Sequence, residues 1–269
     1  MRAEHPCRAA AVTALSKPVS QRGSGCDQDT EAGRFSSRVF GMCGRYSLGV
    51  SPEDLQDFFD LDRIPDSVPR YNIAPSTPVV AIRAIAGLRR ADPLRWGLIP
   101  HWAKEARSGY SMINARAETV AIKPAFRDAF RRRRCLIPAD GFYEWQARPG
   151  SRVKQPYFIS RADGAPLAMA GLWERWRDPS GDVIESCAVI VTSANPLLRP
   201  IHDRMPVLLD PEQFEAWLDP SNGDTESLQG LLRPYPAEYL KAEPVSRSVN
   251  DPRHDDAALR DPQSDSESE

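Results

Sequence analysis

What this chain of 269 residues lacks narrows its class before any motif is considered. No stretch approaches the roughly 20 consecutive apolar residues that a membrane-spanning helix needs. The first 30 residues carry scattered charges and no apolar segment of a secretory signal. We therefore expect a cytoplasmic protein, associated with the nucleoid if its source is a prokaryote, and no membrane partner.

Cysteine is also scarce and poorly placed for cross-linking. The five cysteines are an odd number, widely spaced and without a C-x-x-C pair, which argues against a disulfide framework and against a zinc site. We expect neither a metal nor a cofactor. Cys135 and Cys187 lie in apolar runs and are predicted to be inert buried thiols, whereas Cys43 has a different setting.

A basic excess, typical of nucleic-acid-binding proteins, is missing as well. The formal net charge is −2, with a net charge of +2 over residues 1–42 and of −5 over residues 250–269. The remainder of the chain is therefore close to neutral. Any contact with a nucleic acid must come from a local patch of charge.

Periodicity divides the chain into three parts. Residues 1–42 show no sustained period of 2 or 3.6 and are predicted to be a disordered extension. Residues 251–269 end in DPQSDSESE and are predicted to be a disordered acidic tail. Between them, residues 43–250 form one dense domain without an internal repeat.

Short strands alternate with isolated helices in this domain. Helices are predicted to begin near Ser51, Pro124 and Pro211, where a cap or proline precedes apolar residues at helical spacing. Strands are predicted at Val79–Ile85, Leu94–Ile99, Cys135–Pro138, Phe142–Trp145, Tyr157–Ser160, Leu167–Trp173, Ser186–Thr192 and Pro206–Leu209. These elements indicate an α+β fold: a strand-rich single domain with an antiparallel, barrel-like sheet flanked by a few helices.

Four segments carry side chains suited to chemistry. They are MCGRY around Cys43, NARAE from Asn114, GFYEW around Glu144 and IHDRMP around His202. Together they supply a thiol, an amide, a carboxylate and an imidazole, the components of a covalent-catalysis site. Taken singly, each has a structural explanation: a buried small side chain, a turn residue, an outward strand residue and a histidine paired with a neighbouring aspartate.

The order of longer motifs is more specific than any one of them. MCGRY, YNIAPS, RWGLIPHWAK, INARAET, AFRDAFRRRRCLIPADGFYEW, MAGLWE, VIVTSAN and IHDRMPV follow one another from Cys43 to about Asn250. This series resembles the SOS-response-associated peptidase (SRAP) family, the abasic-site processing proteins. The resemblance implies a protein of the DNA damage response that joins its N-terminal cysteine to an abasic site in single-stranded DNA as a thiazolidine.

Matched motif by motif, the resemblance implies a catalytic set of Cys43, Asn114, Glu144 and His202. The chemistry agrees, because an open abasic sugar exposes an aldehyde, and only a chain-terminal cysteine carries an amine and a thiol on adjacent carbons. Glu144 would move protons from a site of raised pKa, and His202, oriented by Asp203, would protonate the sugar oxygen or a leaving phosphate. Asn114 would hold the aminothiol or the sugar.

Residues for DNA contact are predicted from the same motifs. Arg45, Arg116 and Arg204 are expected on phosphates, and Trp96, Trp102 and Trp145 are candidates for stacking on unpaired bases, although at least one of the three should be a core residue. The run Arg131–Arg134 is either a solvated helix end or a phosphate clamp. A monomer is expected, with contact to the replication machinery left open.

The 41 residues that precede Met42 depart from the family pattern, because they would block the amine of Cys43. Translation beginning at Met42, whose removal exposes the amine of Cys43, is the preferred explanation, since residues 1–41 lack any pattern. Removal of a propeptide before Cys43 is the alternative.

Two rival functions remain at this stage. A cysteine peptidase would use Cys43 and His202 with an acid or amide and would cut its own chain or peptides in trans. A non-catalytic module for single-stranded nucleic acid would bind DNA in a salt-sensitive way, indifferent to abasic sites and to Cys43.

Overall fold

A computed structural model describes residues 43–63, 66 and 68–263, apart from the side chain of Tyr110. The predicted disordered extension over residues 1–42 lies outside the described residues. Twelve strands are described: β1 Tyr46–Leu48, β2 Arg70–Ile73, β3 Pro78–Ile85, β4 Leu88–Trp96, β5 Asn114–Arg116, β6 Arg134–Ala139, β7 Gly141–Gln146, β8 Gln155–Arg161, β9 Leu167–Arg177, β10 Val183–Ser193, β11 Arg204–Pro206 and β12 Leu240–Pro244. The helices are α1 Pro52–Phe59, α2 Arg127–Arg132, α3 Pro211–Leu218 and α4 Thr225–Gly230.

Five strands close into a barrel. β4 pairs with β3, β3 with β6, β6 with β9 and β9 with β10, all antiparallel, and β10 returns to β4 in a short parallel pairing. β5 and β11 extend β10 beside the barrel. The predicted α+β fold with a barrel-like sheet is confirmed, except that β10 pairs in parallel with β4 and with β5.

A second, wholly antiparallel sheet lies against the barrel, in the order β12-β8-β7-β1-β2. The ring of Tyr46 on β1 meets the ring of Trp96 on β4 edge to face, with centroids 5.4 Å apart. One apolar core joins residues of both sheets, including Cys43, Phe142 and Ile159 with Cys135 and Cys187. The two buried thiols of Cys135 and Cys187 therefore confirm their prediction as core residues.

The helix starts agree with two of the three predictions. Ser51 accepts a hydrogen bond from the Asp54 amide at the start of α1, and Asp210 forms a reciprocal cap with Gln213 at the start of α3. α2 begins at Arg127 rather than at Pro124, because residues 119–126 form successive turns first. No helix in the described ranges is both long and apolar enough to cross a membrane.

The prediction of a disordered tail from residue 251 is wrong as far as residue 263. Asp255 accepts hydrogen bonds from the amides of Tyr71 and Asn72, and Leu259 is buried in a second apolar cluster with Tyr143. Arg260 pairs with Asp140 at 2.7 Å. Acidic composition suggested disorder, but the carboxylate of Asp255 caps two backbone amides of β2. Residues 264–269 lie outside the described part.

Arg134 is the buried member of the arginine run and ties α2 to the segment after α3. Its guanidinium donates to the carbonyls of Trp217 at 2.5 Å and Phe130 at 2.8 Å, and to those of Arg131, Asp219 and Asn222. We expect Arg134→Ala to lower the free energy of unfolding by about 3 kcal/mol, because several buried carbonyls lose their donor. Urea unfolding measures this loss. The exposed neighbour substituted as Arg131→Ala should change it by less than about 0.5 kcal/mol, and an equal loss in both variants would contradict the assignment.

Candidate active site

Cys43 and Glu144 meet where the second sheet faces the barrel. Cys43 precedes β1 with a left-handed φ of 46°, and Glu144 lies in the middle of β7. The backbone nitrogen of Cys43 donates to Glu144 Oε1 at 2.7 Å, and both side chains are buried, Cys43 being 4% exposed. Both faces of β7 are covered, so that Glu144 is not the outward surface residue that the pattern also allowed.

Burial dominates the electrostatics of this pair. Burial, followed by the charge of Glu144 and its hydrogen bond, raises the pKa of the Cys43 thiol well above its usual range. Burial also raises the pKa of Glu144, while the charge of His202 and the hydrogen bonds from Cys43 act against this rise. A carboxyl group whose pKa is raised, and which lies beside a nitrogen and a thiol, is placed to accept and return protons.

His202 ends the turn that leads into β11. Its Nδ1 lies 3.1 Å from the Arg204 amide and 3.0 Å from Asp203 Oδ1. The neutral ring accepts from the amide, which leaves its proton on Nε2, and the charged ring donates from Nδ1 to Asp203. The expected orientation of His202 by Asp203 therefore has a direct geometric basis.

Two side chains hold this turn in place. Asn195 accepts from the Leu198 amide at 3.0 Å and donates to the Tyr235 carbonyl at 2.8 Å. Gln146, at the end of β7, donates to the Pro200 carbonyl at 3.1 Å. The strand that carries Glu144 is thereby joined to the turn that carries His202.

Asn114 comes from a strand beside the barrel. It begins β5, which pairs in parallel with β10 through Asn114 and Val189, and its side chain is half-buried. Arg116, at the end of β5, is exposed. Elements from opposite halves of the chain thus supply the four predicted catalytic residues.

Arg204 does not stand alone, because its guanidinium contacts the carboxylate of Glu118. Desolvation pushes the pKa of Glu118 up, but backbone hydrogen bonding together with Arg204 and Arg116 outweighs this and lowers it. Glu118 was missed as a functional residue, although it stands inside the INARAET motif. Two arginines and one carboxylate thus form a small ionic group on this surface.

Arg45 has a different role from the predicted phosphate contact. Its guanidinium donates to Asn72 Oδ1 and the Val249 carbonyl, each at 2.8 Å, and to the Asn250 carbonyl at 3.4 Å. These bonds use three of the five N–H groups of the half-buried guanidinium, so the prediction is corrected to a structural role: Arg45 holds the C-terminal segment. Asn72, which sequence reasoning missed, donates to three carbonyls of the same segment.

The three candidate tryptophans divide by exposure. Trp96 is 1% exposed and donates to the Ile113 carbonyl, and Trp145 is 8% exposed and donates to Asn250 Oδ1. Both predictions of base stacking are therefore wrong, because core packing covers the rings. Trp102 is 55% exposed and remains available.

Among the described residues, no group of three or more His, Cys, Asp or Glu side chains could hold a metal ion.

Comparisons with known proteins place these residues in a wider group. The family model described as SOS response associated peptidase (SRAP) matches residues 42–252. The chain is 44% identical over 223 residues to the abasic site processing protein YoaM of Bacillus subtilis, covering 82% of this chain and 98% of that protein. It is 33% identical over 232 residues to the abasic site processing protein YedK of Escherichia coli, covering 82% of this chain and all of that protein.

Solved structures show the same fold. A protein from Bordetella bronchiseptica has a TM-score of 0.66 at 32% identity, covering 76% of this chain and all of that one. A protein from Bacteroides thetaiotaomicron has a TM-score of 0.72 at 26% identity, covering 82% of this chain and all of that one.

Proposed function

Because the chain belongs to the SOS response associated peptidase family, whose similar members include abasic site processing proteins, we propose that it captures abasic sites in single-stranded DNA as a covalent thiazolidine on Cys43. The observation that carries this proposal is the 2.7 Å contact between the Cys43 nitrogen and Glu144. In a chain that begins at Cys43, this nitrogen is the α-amine, and a proton acceptor already stands beside it.

The reaction balances within these groups. The amine, with an ordinary pKa near ~8, attacks the aldehyde carbon of the opened sugar and gives a carbinolamine. Loss of water gives the imine, with Glu144 supplying the proton to the departing hydroxyl. The Cys43 sulfur then adds to the imine carbon, Glu144 takes the thiol proton, and the nitrogen is protonated. The net change is one thiazolidine ring formed and one water released.

His202 and Asn114 complete the set from the barrel side. His202 is close enough for its charge to lower the pKa of Glu144, and its Nε2 proton is available for the ring oxygen of the sugar as it opens. Asn114 offers a neutral amide for the sugar hydroxyls. The elements that carry Asn114 and His202 are joined through the pairing of β10 with β5 and β11, and the hydrogen bond from Gln146 to Pro200 joins them to the strand of Glu144.

A peptidase is the second candidate, and the electrostatics disfavour it. Nucleophilic cysteines in peptidases act as thiolates stabilised by a neighbouring cation. Here burial and the charge of Glu144 raise the pKa of the Cys43 thiol. A thiol of this kind suits attack on an adjacent imine, where the ring closes within one residue, better than attack on a separate peptide.

The decisive experiment uses protein that begins at Met42 and single-stranded DNA with one abasic site. A heat-stable shifted band on a denaturing gel is expected, and it should be absent with a tetrahydrofuran analogue, which has no aldehyde. A band that persists with the analogue, or no band with the true abasic site, would overturn the thiazolidine. Cleavage of peptides in trans by the same preparation would favour the peptidase instead.

Trp102 is proposed as the platform on which a base beside the lesion stacks. We expect Trp102→Ala to weaken binding of single-stranded DNA by about 1–3 kcal/mol, the usual contribution of one base–aromatic stack. Fluorescence anisotropy measures the change. Tyr239→Ala is the matched control, since Tyr239 is equally exposed at 55%. Equal effects of the two substitutions would remove Trp102 from the binding surface.

Glu118 is proposed to compete with DNA phosphates for Arg204. We expect Glu118→Gln to raise affinity several-fold at low salt and to steepen the dependence of affinity on salt, because a freed arginine releases a further counterion from the DNA. Glu212→Gln, on the exposed side of α3, makes the same change of charge elsewhere. Weaker binding by Glu118→Gln would show that Glu118 positions Arg204 instead.

A further inference from the structure

A surface cavity outside the catalytic group collects most of the arginine run. It has a volume of about 600 Å³ and lies between the last turn of α2, the middle of β9 and His101. Its lining includes Arg131, Arg132, Arg133 and Arg175 against the carboxylates of Asp128 and Glu174. This cavity, called the arginine pocket below, therefore carries a net charge of +2 without His101, on a protein whose formal net charge is −2.

The carboxylate of Glu174 is already counted in this net charge, and two neighbouring side chains share it. Glu174 is buried, and its Oε2 lies 2.7 Å from Arg133 and 3.2 Å from Nδ1 of His101. Asp128 in turn lies 3.7 Å from Arg127. Glu174 thus fixes Arg133 at the floor of the pocket.

Three arginines remain for a ligand. Arg131, Arg132 and Arg175 are exposed, and no ion pair or side-chain hydrogen bond to another residue in the described ranges engages their guanidinium groups. Guanidinium groups converging on one cavity are the donor set that binds the oxygens of a phosphate. We propose that the arginine pocket is a phosphate site that holds the backbone of the DNA strand to one side of the lesion, which rests on the function proposed above.

The loop that carries Trp102 connects the pocket with the catalytic group. The Leu98 amide donates to the Met112 carbonyl at 3.1 Å, so the two ends of this loop meet. His101 lies three residues after Leu98, within the loop, and Asn114 lies two residues after Met112. The Cα atoms of His101 and Asn114 are therefore at most roughly 25 Å apart. The Trp176 indole donates to the Ala103 carbonyl at 2.7 Å and anchors the loop on β9. A strand of several nucleotides is therefore long enough to span from Asn114 to the pocket, whose lining residue His101 adjoins Trp102 in sequence.

The test compares Arg131→Ala/Arg132→Ala with a control of equal charge, Arg63→Ala/Arg233→Ala, in protein that begins at Met42. Binding is measured on a single-stranded 30-mer with a central tetrahydrofuran analogue, so that only reversible affinity is recorded. For two lost phosphate contacts we expect affinity about tenfold lower at 0.1 M salt and a slope of log K against log salt shallower by about 1.4. The control should stay within about twofold. Circular dichroism and thermal unfolding establish that both variants are folded.

Two further measurements distinguish DNA phosphate from free phosphate, and the proposal of the arginine pocket from that of the thiazolidine. On an oligonucleotide too short to leave the catalytic group, the pocket variant should bind like the wild type. If inorganic phosphate raises the Tm of the wild type but not of the pocket variant, while binding of the 30-mer matches the control, the site takes free phosphate and its assignment to DNA is overturned. No difference in either measurement overturns the site itself. Failure of the wild type to crosslink would count against the thiazolidine alone, because the affinities are measured without it.

Discussion

Two altered N-termini of this protein are expected to fail at different steps of the same reaction. Protein that retains residues 1–42 should form no covalent bond with abasic DNA, either spontaneously or after borohydride reduction, because the Cys43 nitrogen is then an amide. Cys43→Ser in protein begun at Met42 keeps the amine and loses the thiol. It should give no heat-stable band by itself but a band after borohydride, which reduces the imine to a stable amine.

The amine and the thiol of Cys43 act at different steps of the reaction. The amine makes the imine, and an imine in water is reversible; the sulfur closes the ring and makes the product durable. Since the Cys43 nitrogen lies 2.7 Å from Glu144, either form of the protein keeps the acid/base group in place. Differences between the two variants therefore report on amine and thiol separately.

Denaturing gels with and without borohydride measure the crosslinked fraction of DNA for both altered proteins and for the wild type. Fluorescence anisotropy checks that the same fraction of DNA is bound in each case. A trapped band from the form with residues 1–42 would show that a lysine or another amine attacks the aldehyde. A heat-stable band from Cys43→Ser without borohydride would show that the thiol is dispensable. Either result would contradict the thiazolidine.

Sequence motifs singled out two residues that the fold brings into contact, while their catalytic roles stay predictions. Cys43 and Glu144 stand in separate motifs, 101 positions apart, and the Cys43 nitrogen donates to Glu144. The barrel was expected from many short apolar strands. The second sheet was not, because β1, β2 and β12 are only three to five residues long and contain polar residues. Strands this short are defined by their partners rather than by their own pattern.

The roles of arginine and tryptophan depended on tertiary contacts that no local pattern shows. Arg45 and Arg134 resemble Arg116 and Arg131 in sequence context, yet the first two bind backbone carbonyls in the interior. Trp96 and Trp102 stand six residues apart in one motif, one in the core and one on the surface. The acidic segment after residue 250 was mistaken for a tail because the sequence does not show that Asp255 caps amides of a strand far away in the chain. Composition records the charge of a residue and not its partner.

Glu144→Gln is expected to slow crosslinking by about 100-fold or more, the usual contribution of a general acid/base. Glutamine can still accept from the Cys43 nitrogen, so the geometry should remain, while proton transfer is lost. Rates are measured by quenched time courses on denaturing gels, with protein begun at Met42. Because burial raises the pKa of Glu144, the wild-type rate should change across a pH range above the usual value for glutamate of about 4.3. The crosslinking rate of the Glu144→Gln variant should not show this dependence on pH.

Stability provides the matching control on the same substitution. The raised pKa of Glu144 means that folding favours its protonated form, so the wild type is relatively most stable below the pKa of the unfolded chain and loses this advantage as pH rises through the folded pKa. Glu144→Gln carries no charge at any pH and should therefore gain stability relative to the wild type as pH rises from 4 to 8. Urea unfolding of the form with residues 1–42, whose Cys43 nitrogen is an uncharged amide, isolates this effect. A variant that is slower in crosslinking yet more stable at pH 7 would identify Glu144 as a buried proton-transfer group kept for chemistry at a cost in stability. A variant that is less stable at every pH would show instead that the carboxylate holds the fold together, and its slow crosslinking would then follow from a disturbed site.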